Sequence, residues 1–153
     1  MWVAYTAIAW WFVFAALSFY WVAGGTLGLD TLGEGIESLA ATREVWFLSL
    51  LAVTGLMKLV PCFLVLSLIR PWGDRFSLSI RLLTVGGIGV LSFLYGGVQM
   101  GVKVLVLADV FTPAEIDTAG FWGHFLIWDP VWIVGGSLLC AVVWSQYTIR
   151  RLC

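Results

Sequence analysis

The sequence predicts an all-α membrane protein, a four-transmembrane-helix antiparallel bundle, and three observations carry that prediction. Only 17 of the 153 residues are charged, 8 basic and 9 acidic. Hydrophobic residues make up 61% of the chain, and mean hydropathy is +1.01. Four apolar windows each reach the ~20 residues that a helix needs to cross about 30 Å of hydrocarbon. A soluble domain carries about a quarter charged residues, so a water-soluble enzyme, a disordered chain and a nucleic-acid binder are disfavoured together.

The first window runs from Trp2 to Gly24 without a charge. It lacks a basic leader and exceeds the core of a signal peptide, so a retained helix is expected. After it, Leu29, Leu32, Ile36 and Leu39 recur at spacings of three, four and three, while Glu34 and Glu37 take another face. This is the pattern of a short amphipathic helix at the outer interface, with Thr31 and Glu34 at capping-box spacing. The second window, Val45 to Ile69, holds Lys58 one residue from its midpoint. It ends in the turn Arg70-Pro71-Trp72-Gly73-Asp74-Arg75, where Pro and Gly break the helix and Trp suits the interface.

The third window, Leu82 to Val110, contains Lys103 and Asp109 and is rich in glycine. Gly97 and Gly101 form a GxxxG pair, and Ser92 with Gly96 repeats the spacing; packing inside the bundle is the expected use and a homodimer face the alternative. Thr112-Pro113-Ala114-Glu115 then offers a cap, a first-turn proline and a returning glutamate, so a turn of helix ending near Gly120 is expected. The fourth window, Phe125 to Tyr147, has Asp129 near its start and Gly135, Gly136 and Ser137 to face helix three. The reading is one domain over 1–153, with spans at about 2–24, 45–69, 82–110 and 125–147.

Four crossings put both termini and the middle turn on one side. Arg70, Arg75, Arg81, Arg150 and Arg151 lie there, against Arg43 alone on the other, so both termini are expected in the cytoplasm of a bacterial plasma membrane. Every acid except Asp74 then faces outward or lies in the outer half, a negative surface that favours cations at long range.

An ionisable side chain within a span costs roughly 2.5–3.5 kcal/mol on insertion scales, so each needs a partner or a purpose. Lys58 lies too deep to snorkel and must face the bundle interior; Thr54 is one turn away, and Pro61 frees the Met57 carbonyl beside it. Lys103 and Asp129 sit at equal depth, each ~10 Å outward of its span's centre, which makes an ion pair the expectation. Ser92, Tyr95, Gln99 and Lys103 form one polar stripe that leads up to Asp129 and His124 at the outer mouth. On an ideal helix His124 and Asp129, five apart, point about 140° from one another, so they share a face only if Pro130 distorts the turn.

No catalytic motif is present: no GxSxG, HExxH, CxxC, P-loop or dinucleotide fingerprint. The lone His124 argues against both a metal site and a haem cytochrome, so no metal and no cofactor is expected. Cys62, Cys140 and Cys153 fall in spans or at the end of the chain, which leaves no outer pair for a disulfide.

The run Leu17-Ser18-Phe19-Tyr20-Trp21 through Gly24-Gly25 to Gly28 and Thr31-Leu32-Gly33 carries a resemblance. So do Arg70-Pro71-Trp72-Gly73, Trp128-Asp129-Pro130 and Gly135-Gly136. With them, nearly the whole chain resembles a family of small four-span membrane proteins, mainly actinobacterial, known as domain of unknown function 3995. The resemblance implies the architecture and no reaction; it draws attention to the outer Gly-Gly segment, Lys58 and Asp129.

The function expected from these residues is an outward-facing polar cavity that binds a small molecule or lipid, related to transport, with Lys58, Gln99, Lys103, Asp129, Thr54, Tyr95 and His124 as its polar track. The alternative is an accessory subunit, in a homodimer or a larger membrane complex, that packs through its glycine-rich and aromatic surfaces. An enzyme is the least supported reading. The partners expected are the lipid bilayer and such a ligand, not nucleic acid.

Overall fold

A computed structural model describes residues 2–110 and 117–152, with side chains through Thr148. It is an all-α bundle with four helices long and apolar enough to cross a membrane, and no strand among the described residues. The chain runs α1 (Trp2–Val22), a short 3-10 turn (Asp30–Leu32), α2 (Glu34–Thr42), α3 (Val45–Ile69), a second 3-10 turn (Pro71–Arg75) and α4 (Leu78–Leu107). After residues 111–116 come α5 (Thr118–Gly123), a π-helical turn (His124–Trp128) and α6 (Asp129–Leu152). The capping reading of Thr112 to Glu115 lies outside the described residues.

α1 packs on α3, and α4 on α6, with α1–α6 and α3–α4 closing the ring. Small residues set the closest approaches, as lipid requires, because apolar surface gains nothing by leaving hydrocarbon. A Cβ at Gly136 would stand 2.5 Å from the Gly89 carbonyl oxygen, and one at Gly96 2.6 Å from the Asp129 carbonyl oxygen. Gly97 and Gly101 do otherwise: open space surrounds both, so the GxxxG pair is not used inside the bundle. The expectation of internal packing holds for Gly96, which Gly89 joins on the α6 side, and fails for this pair. Gly97 and Gly101 occupy a different face of the helix from Gly89 and Gly96.

α3 matches its window, Val45–Ile69, while the third and fourth windows differ from the helices at their ends. α4 begins at Leu78, four residues before the window, because Arg81 folds back into the protein, donating to the Ser67 carbonyl and lying 3.5 Å from Asp74. It ends at Leu107, and Asp109, in the left-handed region at φ 55°, belongs to the following turn. The fourth span begins earlier too: α5 does not stop near Gly120 but runs through the π turn into α6.

Trp10 and Trp11, both mid-span, are explained by α6. Their indole N–H groups donate to the Val131 and Gly135 carbonyls at 3.2 and 3.3 Å, and a Cβ at 135 would crowd both rings at 3.1–3.2 Å. Trp11, Phe14, Trp128 and Trp132 continue as an aromatic core with ring centroids 5.1–6.5 Å apart.

Candidate functional site

The end of the bundle that carries α2 and α5 is closed by a device the sequence did not reveal. Gly33, at φ 106°, turns the chain into α2, and the Asp117 carboxylate accepts from the Glu34 N–H at 2.9 Å and from the Gly120 N–H at 3.1 Å. One carboxylate thus caps two helices from two loops, where the sequence pointed to a capping box of Thr31 with Glu34. Thr31 instead donates to the Gly28 carbonyl at 2.6 Å and accepts from the Trp128 indole at 3.0 Å. The capping box fails because Gly33, not Thr31, stands at the N-cap of α2.

The Gly120 N–H, then the Glu34 N–H, holds the Asp117 carboxyl below its usual range. A depressed folded pKa gives stability that is present above the unfolded value near 4 and lost as pH falls through the folded value. We therefore expect amide protection across Glu34–Thr42, taken relative to the intrinsic exchange rate at each pH, to be high at neutral pH and to fall on acidification below about 4. In Asp117→Ala that protection should be low at every pH. Equal protection of α2 in the variant would show that Asp117 caps nothing.

Below this closure lies a charged centre. Asp129 is 1% exposed; its Oδ2 is 3.0 Å from Lys103 Nζ, and its Oδ1 is 3.7 Å from His124 Nδ1. Lys103 also donates to the Gln99 carbonyl at 3.3 Å, four residues back on α4. Oδ2 meets the Lys103 ammonium as an ion pair outside the alignment of a hydrogen bond.

His124 reaches Asp129 because the helix is not ideal there. Pro130 has no N–H to donate into the preceding turn, and the Asp129 N–H reaches back five residues to the His124 carbonyl. A turn closed over five residues returns the fifth side chain close to the first. The distortion that the spacing required is present.

The other track residues separate. Lys58 belongs to the α1–α3 seam, where its ammonium donates to Ser18 Oγ at 2.9 Å and lies 3.8 Å from the centre of the Phe14 ring. Thr54 is not its partner, since that hydroxyl returns to the Leu51 carbonyl at 2.8 Å, as small hydroxyls in helices do. Tyr95 is 51% exposed and packs edge-on against Trp132, so it does not line an interior track. Ser18 and Phe14 were missed because nothing in their spacing marks them; only the α1–α3 register brings them to Lys58.

Two cavities adjoin the aromatic core. A groove of about 410 Å3 follows the α1–α6 seam, lined by Thr6, Trp10, Val13, Phe14, Leu17 and Trp128 among others. At the C-terminal end of α1 a pocket of about 430 Å3 is lined by Trp21, Gly24, Thr26, Asp30, Glu37 and Arg43 among others.

No curated protein and no solved structure matches the chain. The model of a family described as "Protein of unknown function (DUF3995)" matches residues 11–139, a stretch that includes Lys58, Lys103, His124 and Asp129. The match takes in well over half of the sequence, and the chain belongs to the DUF3995 family.

Proposed function

We propose that this protein binds a small molecule or lipid from the outer side of a bacterial plasma membrane, in a step related to transport, with both termini in the cytoplasm. The observation that carries the reading is the buried Asp129 held between Lys103 and His124 with one oxygen lacking a hydrogen bond. A buried carboxylate in a span is retained at a cost, and the pair alone would fix helix register. A third titratable group drawn in by a π turn is more than register needs, because π turns concentrate at functional sites. The ligand class that suits the centre offers a hydroxyl or amine to Asp129 and an anionic group to Lys103 and His124.

Native mass spectrometry of the gently extracted protein tests this reading. The wild type should retain a small ligand, His124→Gln should fold and lose most of it, and Lys58→Met should keep it while melting no lower. Lys58→Met should be tolerated because it removes a half-buried charge with no acid beside it among the described residues, which offsets the lost Ser18 hydrogen bond. Equal retention by His124→Gln would sink the site. Labelling of single cysteines by an impermeant thiol reagent checks the orientation, which requires reaction at position 37 and none at 74.

A second reading, an accessory subunit, draws on Gly97 and Gly101, which face open space on α4. It requires Gly97→Ile to release a partner on a native gel without harm to the fold.

A further inference from the structure

The outer pocket and the seam groove are neighbours along α1. Trp21 lines the pocket, Trp128 lines the groove, and their rings meet edge to face with centroids 5.6 Å apart. Along α1 the groove residues Thr6, Trp10, Val13, Phe14 and Leu17 fall on one helical face, and Trp21 continues it one turn outward. From Thr6 to Leu17 the helix rises about 16 Å, centred near the middle of α1, so the half from Val13 to Leu17 lies in the leaflet next to the pocket. That half is apolar and takes the upper part of an acyl chain, while the pocket stands beyond the last turn of α1, at headgroup level.

The pocket carries charges of both signs that do not neutralise one another. Asp30 and Glu37 line it on the side of the first outer loop and α2, and neither is ion-paired with a described residue. Arg43, at φ 51° at the end of α2, spends one nitrogen on the Val22 carbonyl at 3.1 Å and has others to offer. Two carboxylates suit an ammonium group, and a guanidinium suits a phosphate.

We propose that this surface binds a zwitterionic aminophospholipid of the outer leaflet, its ammonium between Asp30 and Glu37, its phosphate on Arg43 and one acyl chain in the α1–α6 groove. A phospholipid whose phosphate carries an uncharged alcohol would satisfy Arg43 but bring the two acids no ammonium, only hydroxyl donors. None of Lys103, Asp129 and His124 lines the pocket or the groove, so the two proposals are tested by different residues.

The test is titration of the delipidated full-length protein with phosphatidylethanolamine and phosphatidylglycerol of identical chains, followed by native mass spectrometry. Phosphatidylethanolamine should bind on the order of fivefold to tenfold more tightly, the effect of two partly solvated ion pairs. The double variant Asp30→Asn, Glu37→Gln should bring the two lipids to parity. Val13 is 67% exposed toward the groove, so Val13→Trp should fold normally and weaken both lipids alike. Equal binding by the wild type, a preference for phosphatidylglycerol, or a preference that survives in the double variant overturns the headgroup assignment. Unchanged affinity in Val13→Trp, or phosphoethanolamine without chains binding as tightly as the lipid, overturns the groove. His124→Gln should leave all these affinities as they are.

Discussion

Lys103→Met should destabilise the protein by roughly 3 kcal/mol, at the low end of the cost of breaking a buried pair. The Asp129 carboxylate, 1% exposed, would be left with only His124 at 3.7 Å, and it would have to ionise without a cation or take up a proton. Asp129→Asn should cost less, because Lys103 is 15% exposed at its side chain and keeps the Gln99 carbonyl at 3.3 Å. The double variant should recover part of the loss, since two neutral groups of similar shape leave no orphaned charge. Reversible denaturation in detergent micelles measures the cycle, and a coupling of about 1 kcal/mol or more is expected for charges at this distance. Strict additivity would mean that the 3.0 Å contact contributes nothing to folding.

The second large effect is steric and separates two neighbouring glycines. Gly96→Ala places a methyl 2.6 Å from the Asp129 carbonyl oxygen and 2.9 Å from Ile133, where backbone must move, so a loss of about 1–3 kcal/mol is expected. Gly97→Ala, one residue on, meets nothing within 4 Å and should be neutral or slightly stabilising, because alanine is the better helix former. Melting of the two variants side by side decides the matter. If Gly97→Ala melts as low as Gly96→Ala, the α4 face that packs on α6 has been misplaced by about a quarter turn. The contrast matters for function as well. A stable Gly97→Ala protein leaves that face free for lipid or a partner, and Asp129 is positioned by the close approach at Gly96.

Much of the site was legible before the fold, and each reason is physical. The low tolerance of hydrocarbon for charge singled out Lys58, Lys103 and Asp129, and equal depth put Lys103 beside Asp129. The same reasoning went astray where it used charge to end helices, since Arg81 is buried against the protein rather than placed at the interface. It also went astray at Lys58, whose partners were sought on its own helix. Hydrogen-bond partners one turn apart are visible in sequence, but Ser18 is 40 residues away and becomes a neighbour only through α1–α3 packing.

The sequence by itself determined how many times the chain crosses the membrane, which residues are costly to hold there and which positions are small enough for helices to touch. These follow from composition and one-dimensional spacing, because the bilayer acts on each segment separately. Tertiary structure decided which face of each helix turns inward: Gly96 against α6 and Gly97 away from it, Trp10 and Trp11 on the carbonyls of α6, and Asp117 across two loops. It also decided that Pro130 opens a π turn and swings His124 to Asp129. A helix that is apolar all round carries almost no record of its orientation, so its rotation is fixed only by what packs against it.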